Sequence, residues 1–135
     1  MVIIGAGLVG SETAVHFLRE GKEVTLLEMT GDFAPDANPF QKMSLGGEFS
    51  KGVNLKLNTK AKTVTKDGVI AVGSDGKETL YPADTIFCSV GMKSHAAEAE
   101  TLRNTVLEFR SIGDCVKPGK AIEAVHGGYY AALDL

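Results

Sequence analysis

The sequence is short of the features that would place it in a membrane, on a nucleic acid or outside the cell. No apolar run reaches the ~18 residues of a membrane helix, and the apolar start at residues 1–4 has no basic flank of the signal-peptide kind. A net charge of −3 leaves no basic excess for nucleic acid. Two cysteines, Cys88 and Cys115, lie far apart without metal-ligand spacing. We therefore expect a cytoplasmic protein with free thiols, no metal site, no membrane contact and no nucleic-acid partner.

Catalytic side chains are also scarce. His16, His95 and His126 are solitary and belong to no triad-like arrangement with a serine, cysteine or acid. Cys88 lies in an apolar stretch, which favours a buried, unreactive thiol. The 135 residues suit a single domain with a real core. We predict no catalytic residue in this chain.

The most informative feature that is present is a glycine pattern at the start of the chain. The apolar run at residues 1–4 leads directly into Gly5, Gly7 and Gly10, with the spacing G-x-G-x-x-G. Gly5 permits a tight strand-to-helix turn, Gly7 lets the backbone approach a pyrophosphate, and Gly10 lets the helix lie against the strand. The pattern favours dinucleotide binding; the alternative is a glycine-rich turn that binds something else or nothing.

The helix that this turn opens would supply an anion site. The first N–H groups of a helix have no partner inside it and carry the positive end of its dipole. We therefore expect Leu8, Val9 and Gly10 to face the pyrophosphate. Glu12 lies on the first helical turn, where a carboxylate contributes ~0.3–1 kcal/mol to the helix start.

An acid closes the next predicted strand. Glu28 follows residues 23–27 and comes after Gly10 at close to the ~20-residue spacing expected of a ribose-binding acid. Its carboxylate should accept hydrogen bonds from the adenosine ribose hydroxyl groups and repel a 2′-phosphate. Residues 29–32 contain no arginine or lysine to hold such a phosphate. The prediction is NADH rather than NADPH, with a solvated strand-end acid as the alternative.

Periodicity and turn residues predict strands alternating with helices, with one interruption. Helices are expected over residues 8–20, 40–51, 94–103 and 120–133. Strands are expected over 1–4, 23–27, 53–57, 84–91 and 108–112, and a loop over 29–39. Asp-Gly turns separate three short runs, at 61–65, 69–72 and 79–81, which predicts a meander. The fold class is an α/β Rossmann-like domain, a parallel sheet with an antiparallel β-meander insert.

This order of elements resembles the nicotinamide domain of two-dinucleotide-domain flavoprotein reductases with the glutathione-reductase-like FAD/NAD(P)-binding fold. Residues 2–14 are similar to the second nucleotide motif of that class, G-x-G-x-x-G-x-E. A narrower resemblance covers essentially the whole chain, to old-yellow-enzyme-like NADH:flavin oxidoreductases of the 2-enoate and 2,4-dienoyl-CoA reductase type. It rests on residues 91–93, 112–115, 121–122 and 128–129.

The resemblance implies a domain that binds NAD(H) and delivers hydride to a flavin, which reduces an enoate-type substrate elsewhere in a longer protein. Residues 1–107 would form the nicotinamide domain, and residues 108–135 the last strand and helix of a split flavin domain. FAD, FMN, a barrel and the other flavin-domain half would belong to the full-length enzyme, and the isolated chain would be inactive. A strand that starts at residue 1 without a lead-in also predicts a cut-out.

The resemblance further implies that Glu12 lies near the nicotinamide and that Asp114 meets the flavin. Gly91, after an apolar strand, would let the backbone approach the cofactor, with a plain turn glycine as the alternative. Hydride transfer needs oriented rings more than acid–base help, which agrees with a chain that lacks catalytic side chains. The other function considered is a regulatory NAD-binding module without catalysis. Such modules continue with regular βα repeats, whereas residues 66–68 predict a hairpin.

Overall fold

The computed structural model describes residues 1–133 of the chain. Two compact units can be separated, Met1–Gly91 and the part from Met92 onward, and each is described by itself. The predicted boundary between residues 107 and 108 concerns the domains of a longer protein, and it stays a prediction. Within residues 1–133, none of the helices has the length and apolar content of a membrane span.

The first unit contains two sheets. The strands are β1 (Val2–Ile4), β2 (Val24–Leu27), β3 (Val53–Lys56), β4 (Lys60–Thr65), β5 (Gly68–Val72), β6 (Glu78–Pro82) and β7 (Ile86–Cys88). The parallel sheet has the order β3-β2-β1-β7, and its register places Ile3 beside Leu26 on one side and Phe87 on the other. Because β1 lies inside this sheet, the glycine turn that follows it begins at the middle of the carboxyl edge.

Two helices complete the first unit, α1 (Leu8–Arg19) and α2 (Pro39–Phe49). The predicted apolar stripe of α1 faces the core: Ala14 and Val15 are buried, and Leu8 and Leu18 pack against them. The start of α2 is fixed by its cap, because Asn38 Oδ1 accepts a hydrogen bond from the N–H of Gln41 at 2.9 Å.

The predicted antiparallel meander is confirmed as the sheet β4-β5-β6. Its middle strand turns Val69 and Ala71 inward, and both side chains are fully buried. They pack with Val2, Ile4 and Leu27 of the parallel sheet. The meander therefore covers the parallel sheet with a second core, separate from the one that contains α1 and α2.

The second unit contains α3 (Ala96–Glu100) and α4 (Ala121–Leu133), with short 3-10 turns at Arg103–Thr105 and Gly113–Cys115. The helix predicted over residues 94–103 is thus much shorter, and the strand predicted over 108–112 is wrong. A strand needs a neighbour to receive its hydrogen bonds, and the described part of this unit contains no other strand. Residues 108–112 therefore stay irregular.

One buried-residue prediction is also wrong. Cys88 is exposed, although its neighbours in sequence are apolar. It lies on β7, which pairs with β1 and forms the edge of the parallel sheet within the described residues. An apolar run therefore predicted a strand here, but it did not reveal that the strand lies at an edge.

Candidate dinucleotide-binding site

The site predicted from the glycine pattern lies at the carboxyl edge of the parallel sheet, in a cavity of about 320 Å³. This volume falls within the range of small-molecule sites. Four of the predicted residues line the cavity, namely Gly5, Gly7, Glu28 and Gly91. The rest of its wall consists of Ile4, Leu27, Met29, Ser89, Val90 and residues 59–61. In this kind of fold, that edge is where nucleotides bind.

The three motif glycines differ in what the fold demands of them. Gly5 has a φ of +96°, and a Cβ there would lie 2.2 Å from the carbonyl oxygen of Ser89. A Cβ on Gly10 would lie 2.0 Å from the carbonyl oxygen of Gly5. A Cβ on Gly7 would meet no heavy atom within 4 Å. The fold itself therefore requires glycine at positions 5 and 10 but not at position 7.

Hydrogen bonds hold the glycine turn rigidly against its surroundings. The N–H of Gly5 donates to the carbonyl oxygen of Leu27 at 2.8 Å. The carbonyl oxygen of Ala6 accepts from the N–H of Ala34 at 2.7 Å and from the buried hydroxyl of Ser11 at 3.1 Å. The turn is thus fixed by β2, by the loop after β2 and by α1.

The start of α1 points open N–H groups toward this edge. The N–H of Ser11 makes the first bond of the helix, to the carbonyl oxygen of Gly7 at 2.9 Å. Leu8, Val9 and Gly10 precede that bond, so their N–H groups have no acceptor within the helix. Gly7 occupies the N-cap and makes no side-chain cap. This arrangement suits an anion such as a pyrophosphate.

Glu28 is tied to the glycine turn. Its Oε2 accepts a hydrogen bond from the N–H of Ala6 at 2.8 Å, and its Oε1 accepts from the N–H of Thr30 at 2.8 Å and the hydroxyl of Thr30 at 2.9 Å. Partial burial raises the pKa of this carboxyl, but hydrogen bonds from Thr30, Ala6 and Met29 outweigh burial, so its pKa lies below the ordinary value. Glu28 is therefore an ionised acceptor at the cavity wall.

This lowered pKa predicts that Glu28→Gln costs more stability near neutral pH than in acid. A carboxylate with a depressed folded pKa stabilises the fold above its unfolded pKa of 4.5, and loses that contribution as the pH falls through the lower folded value. Urea unfolding of both proteins at about pH 7 and about pH 3 measures the effect. Because both proteins contain the same other carboxylates, the contributions of those groups cancel in the difference between their free energies of unfolding. The same difference at both pH values would contradict the prediction.

The remaining predicted residues lie outside the cavity wall. Glu12 is exposed on α1 but lies beyond its first turn, where it was predicted, because α1 begins at Leu8. Its Oε1 accepts a hydrogen bond from Gln41 Nε2 at 3.0 Å. Asp114 belongs to the second unit, where its Oδ1 accepts from the N–H of Gly119 at 3.2 Å. It lines a cavity of that unit together with Lys93 and Cys115. Leu8, Val9 and Gly10 contribute through the backbone, as described above.

Two site residues were missed from the sequence. Lys60 lines the cavity from β4, and Thr30 binds the carboxylate of Glu28. Thr30 could have been found, because a hydroxyl two residues after an acid is a common local hydrogen-bonding partner. Lys60 had no such signal, since it reaches the cavity only because the segment after β3 lies beside the end of β2, where the N–H of Thr59 donates to the carbonyl oxygen of Glu28 at 2.7 Å.

The parallel sheet, the glycine turn and the acid at the end of β2 define an α/β dinucleotide-binding domain. Comparison with known sequences supports this class and identifies the family within it. The chain belongs to the pyridine nucleotide-disulphide oxidoreductase family, whose sequence profile matches residues 1–116. The predicted α/β fold, Rossmann-like with an antiparallel insert, is thereby confirmed.

Relatives are similar over the whole chain. It is 34% identical over 137 residues to an NADH oxidase from Thermoanaerobacter brockii, aligning with 100% of this chain and 21% of that protein. A cinnamate reductase from Clostridium sporogenes is 28% identical over 140 residues, again covering 100% of this chain and 21% of the relative. The chain thus spans about a fifth of the length of these relatives.

A solved structure gives the same result. The complex of 2-naphthoyl-CoA reductase with 2-naphthoyl-CoA superposes with a TM-score of 0.89 at 29% identity. The match covers 99% of this chain and 21% of that one. Together with the sequence relatives, it identifies the chain as a pyridine nucleotide oxidoreductase domain.

Proposed function

We propose that this chain is the NADH-binding domain of a larger flavin-dependent reductase of the old-yellow-enzyme-like type. Support comes from relatives named NADH oxidase, cinnamate reductase and 2-naphthoyl-CoA reductase, each about five times as long as this chain. The observation that carries the proposal is the ionised carboxylate of Glu28, bound to the glycine turn beside the cavity. It is an acceptor for ribose hydroxyl groups at the place where a dinucleotide passes the turn.

The geometry supports one direction for the dinucleotide. Its pyrophosphate would lie at Gly7, against the open N–H groups of Leu8 and Val9. The adenosine ribose would donate hydrogen bonds to Glu28, and the nicotinamide half would extend past Gly91, which has a φ of +102° and open space around it. Glu12 on α1 would lie toward the nicotinamide, in keeping with the resemblance.

Glu28 also supports a preference for NADH over NADPH. The additional phosphate of NADPH is attached to the ribose 2′-oxygen, so it replaces the hydroxyl group from which this carboxylate would accept a hydrogen bond. Two negative groups in contact repel each other. Lys60 lines the same cavity from β4, and its positive charge would reduce that repulsion without removing it.

The chain's own contribution to catalysis would be binding and orientation. Bound NADH supplies the hydride, which passes to a flavin held by other parts of the longer protein. Asp114, in residues 108–135, would contribute to the FAD site of a split flavin domain, while FMN and the enoate-type substrate would belong to a barrel. A cytoplasmic location agrees with the free thiols Cys88 and Cys115 and stays a prediction.

Titration of the chain with both coenzymes tests the proposal. NADH is expected to bind about tenfold more tightly than NADPH, because one unfavourable charge contact costs about 1.4 kcal/mol. Fluorescence of the reduced nicotinamide gives both dissociation constants, and Glu28→Gln should narrow the difference between the affinities for NADH and NADPH.

Free FAD or FMN added to the NADH-loaded chain should not accelerate NADH oxidation. Equal affinities, or binding of neither coenzyme, would refute the proposed role of Glu28, and rapid flavin-dependent turnover would refute the idea of an isolated, inactive domain.

A further inference from the structure

A threonine outside the glycine motif holds the carboxylate of Glu28 in place. The N–H and the hydroxyl of Thr30 both donate to Glu28 Oε1, at 2.8 and 2.9 Å. The backbone of Thr30 is itself fixed, since its carbonyl oxygen accepts from the N–H of Asn58 at 2.8 Å. Oε1 therefore has two donors from one residue, and the carboxylate has a defined orientation with Oε2 toward Ala6.

The hydroxyl of Thr30 has a second acceptor within reach. Its oxygen lies 3.1 Å from the carbonyl oxygen of Asp32, and a hydroxyl has a single proton to donate. An ionised carboxylate is the stronger acceptor, so the proton points to Glu28. Oε1 accepts from both donors of Thr30 and Oε2 accepts from the N–H of Ala6, and a carboxylate has about four acceptor sites, so a ribose hydroxyl can donate to Glu28 while the Thr30 hydroxyl stays bound to it. The site can thus accept a ligand without leaving a donor unpaired.

We propose that Thr30 is a positioning residue for coenzyme binding, which aims the carboxylate of Glu28 at the adenosine ribose and keeps it ready to accept. This inference rests on the proposed function. Thr30 acts through Glu28 and not on the nicotinamide, so its effect is confined to ligands whose adenosine ribose carries the hydroxyl group that Glu28 binds.

The charges around Glu28 stay constant when Thr30 is changed. Cations lie on the neighbouring strands, Lys56 on β3 and Lys60 on β4, and the start of α1 adds a positive dipole end. The nearby carboxylate of Asp32 is paired with Lys42. A substitution of Thr30 by valine removes one hydroxyl and leaves all of these groups. A change in the pKa of Glu28 in that variant therefore reports the lost hydrogen bond.

Thr30→Val, with Thr30→Ser and Thr79→Val as matched variants, tests the proposal in the 135-residue chain. Thr79 is exposed on β6 and does not line the cavity. Thr30→Val should raise the NADH dissociation constant about fivefold, since one charge-assisted hydrogen bond is lost while the Thr30 N–H still donates. Thr30→Ser should restore tight binding, and Thr79→Val should bind as the unchanged chain does.

Two further measurements separate positioning from a merely structural role. An NADH analogue without the 2′-hydroxyl of the adenosine ribose should bind the unchanged chain and Thr30→Val equally well. Carbon-13 NMR titration should show a higher pKa for Glu28 in Thr30→Val than in Thr30→Ser, because a donor to the charged form is gone.

These experiments distinguish a failure of the proposed role of Thr30 from a failure of the proposed NADH-binding function. If the unchanged chain binds no NADH, the proposed function fails and the ribose role of Thr30 fails with it. If NADH binds but Thr30→Val leaves its dissociation constant or the pKa of Glu28 unaltered, only the role of Thr30 is overturned. A loss of affinity that persists with the deoxy analogue overturns it as well, because the effect would then not pass through the ribose. If the valine variant fails to fold, Thr30→Ala removes the same hydroxyl and takes its place, with Thr30→Ser as the control.

Discussion

Gly7→Ala is expected to remove most dinucleotide binding while the protein stays folded. Gly7 has an ordinary negative φ of −61°, and an added Cβ meets no heavy atom within 4 Å. The fold therefore accepts alanine at this position. The Cβ would project into the cavity at the N-cap of α1, where a pyrophosphate must approach the open N–H groups of Leu8 and Val9. The substitution should therefore lower the affinity for the dinucleotide and leave the stability of the fold unchanged.

We expect the NADH dissociation constant of Gly7→Ala to rise by about 10- to 100-fold, the equivalent of about 1.4–2.8 kcal/mol. Titration measures the affinity, and thermal unfolding measures the fold. Gly47→Ala is the matched control: it adds a methyl group inside α2, again with nothing within 4 Å, and should bind NADH normally. Unchanged affinity in Gly7→Ala would show that no ligand approaches the turn as proposed.

Gly10→Ala is expected to destabilise the protein itself, by about 2–4 kcal/mol. Its Cβ would overlap the carbonyl oxygen of Gly5 at 2.0 Å and crowd the side chain of Ser89 at 3.3 Å. Gly5 cannot shift freely, because its N–H is bonded to the carbonyl oxygen of Leu27 and its own Cβ position faces the backbone of Ser89. The helix must therefore move away from β1 to admit a methyl group.

Urea unfolding of the two alanine variants separates the two kinds of glycine. Within a helix, alanine is favoured over glycine by about 1 kcal/mol, so helix propensity alone predicts that Gly10→Ala is stabilising. A loss of stability therefore measures the clash and not the propensity. Gly10→Ala with the stability of the unchanged protein would mean that α1 does not lie on β1 as closely as described.

The site was predictable where it depends on local sequence. Gly5, Gly7 and Glu28 lie within the first βαβ segment, and their proposed roles follow from the order strand, turn, helix, strand. The fold class followed from the same alternation, with the Asp-Gly pairs revealing the meander. Each of these signals operates over a few residues, so no knowledge of distant contacts was needed.

The errors have a common physical cause. The sequence of residues 108–112 predicted a strand, but a strand forms only where another strand receives its hydrogen bonds. Cys88 was expected to be buried, although burial depends on how many strands lie beyond β7 in the sheet. In both cases the local sequence held no information about which segments would lie beside it in the fold.

The sequence by itself determined the glycine turn, the acid that follows it and the class of fold. These features depend on short-range steric effects and on hydrophobic periodicity, and both are set by residues that are close together in the sequence. Only the tertiary structure decided which glycine the fold requires and which it leaves open for the proposed ligand, since that depends on the distance from each Cβ position to atoms of Ser89, which follows β7, and of the turn itself. It likewise brought Lys60 to the cavity and joined Ala6 and Thr30 to Glu28. Those contacts arise when separate segments pack together, and no local pattern specifies them.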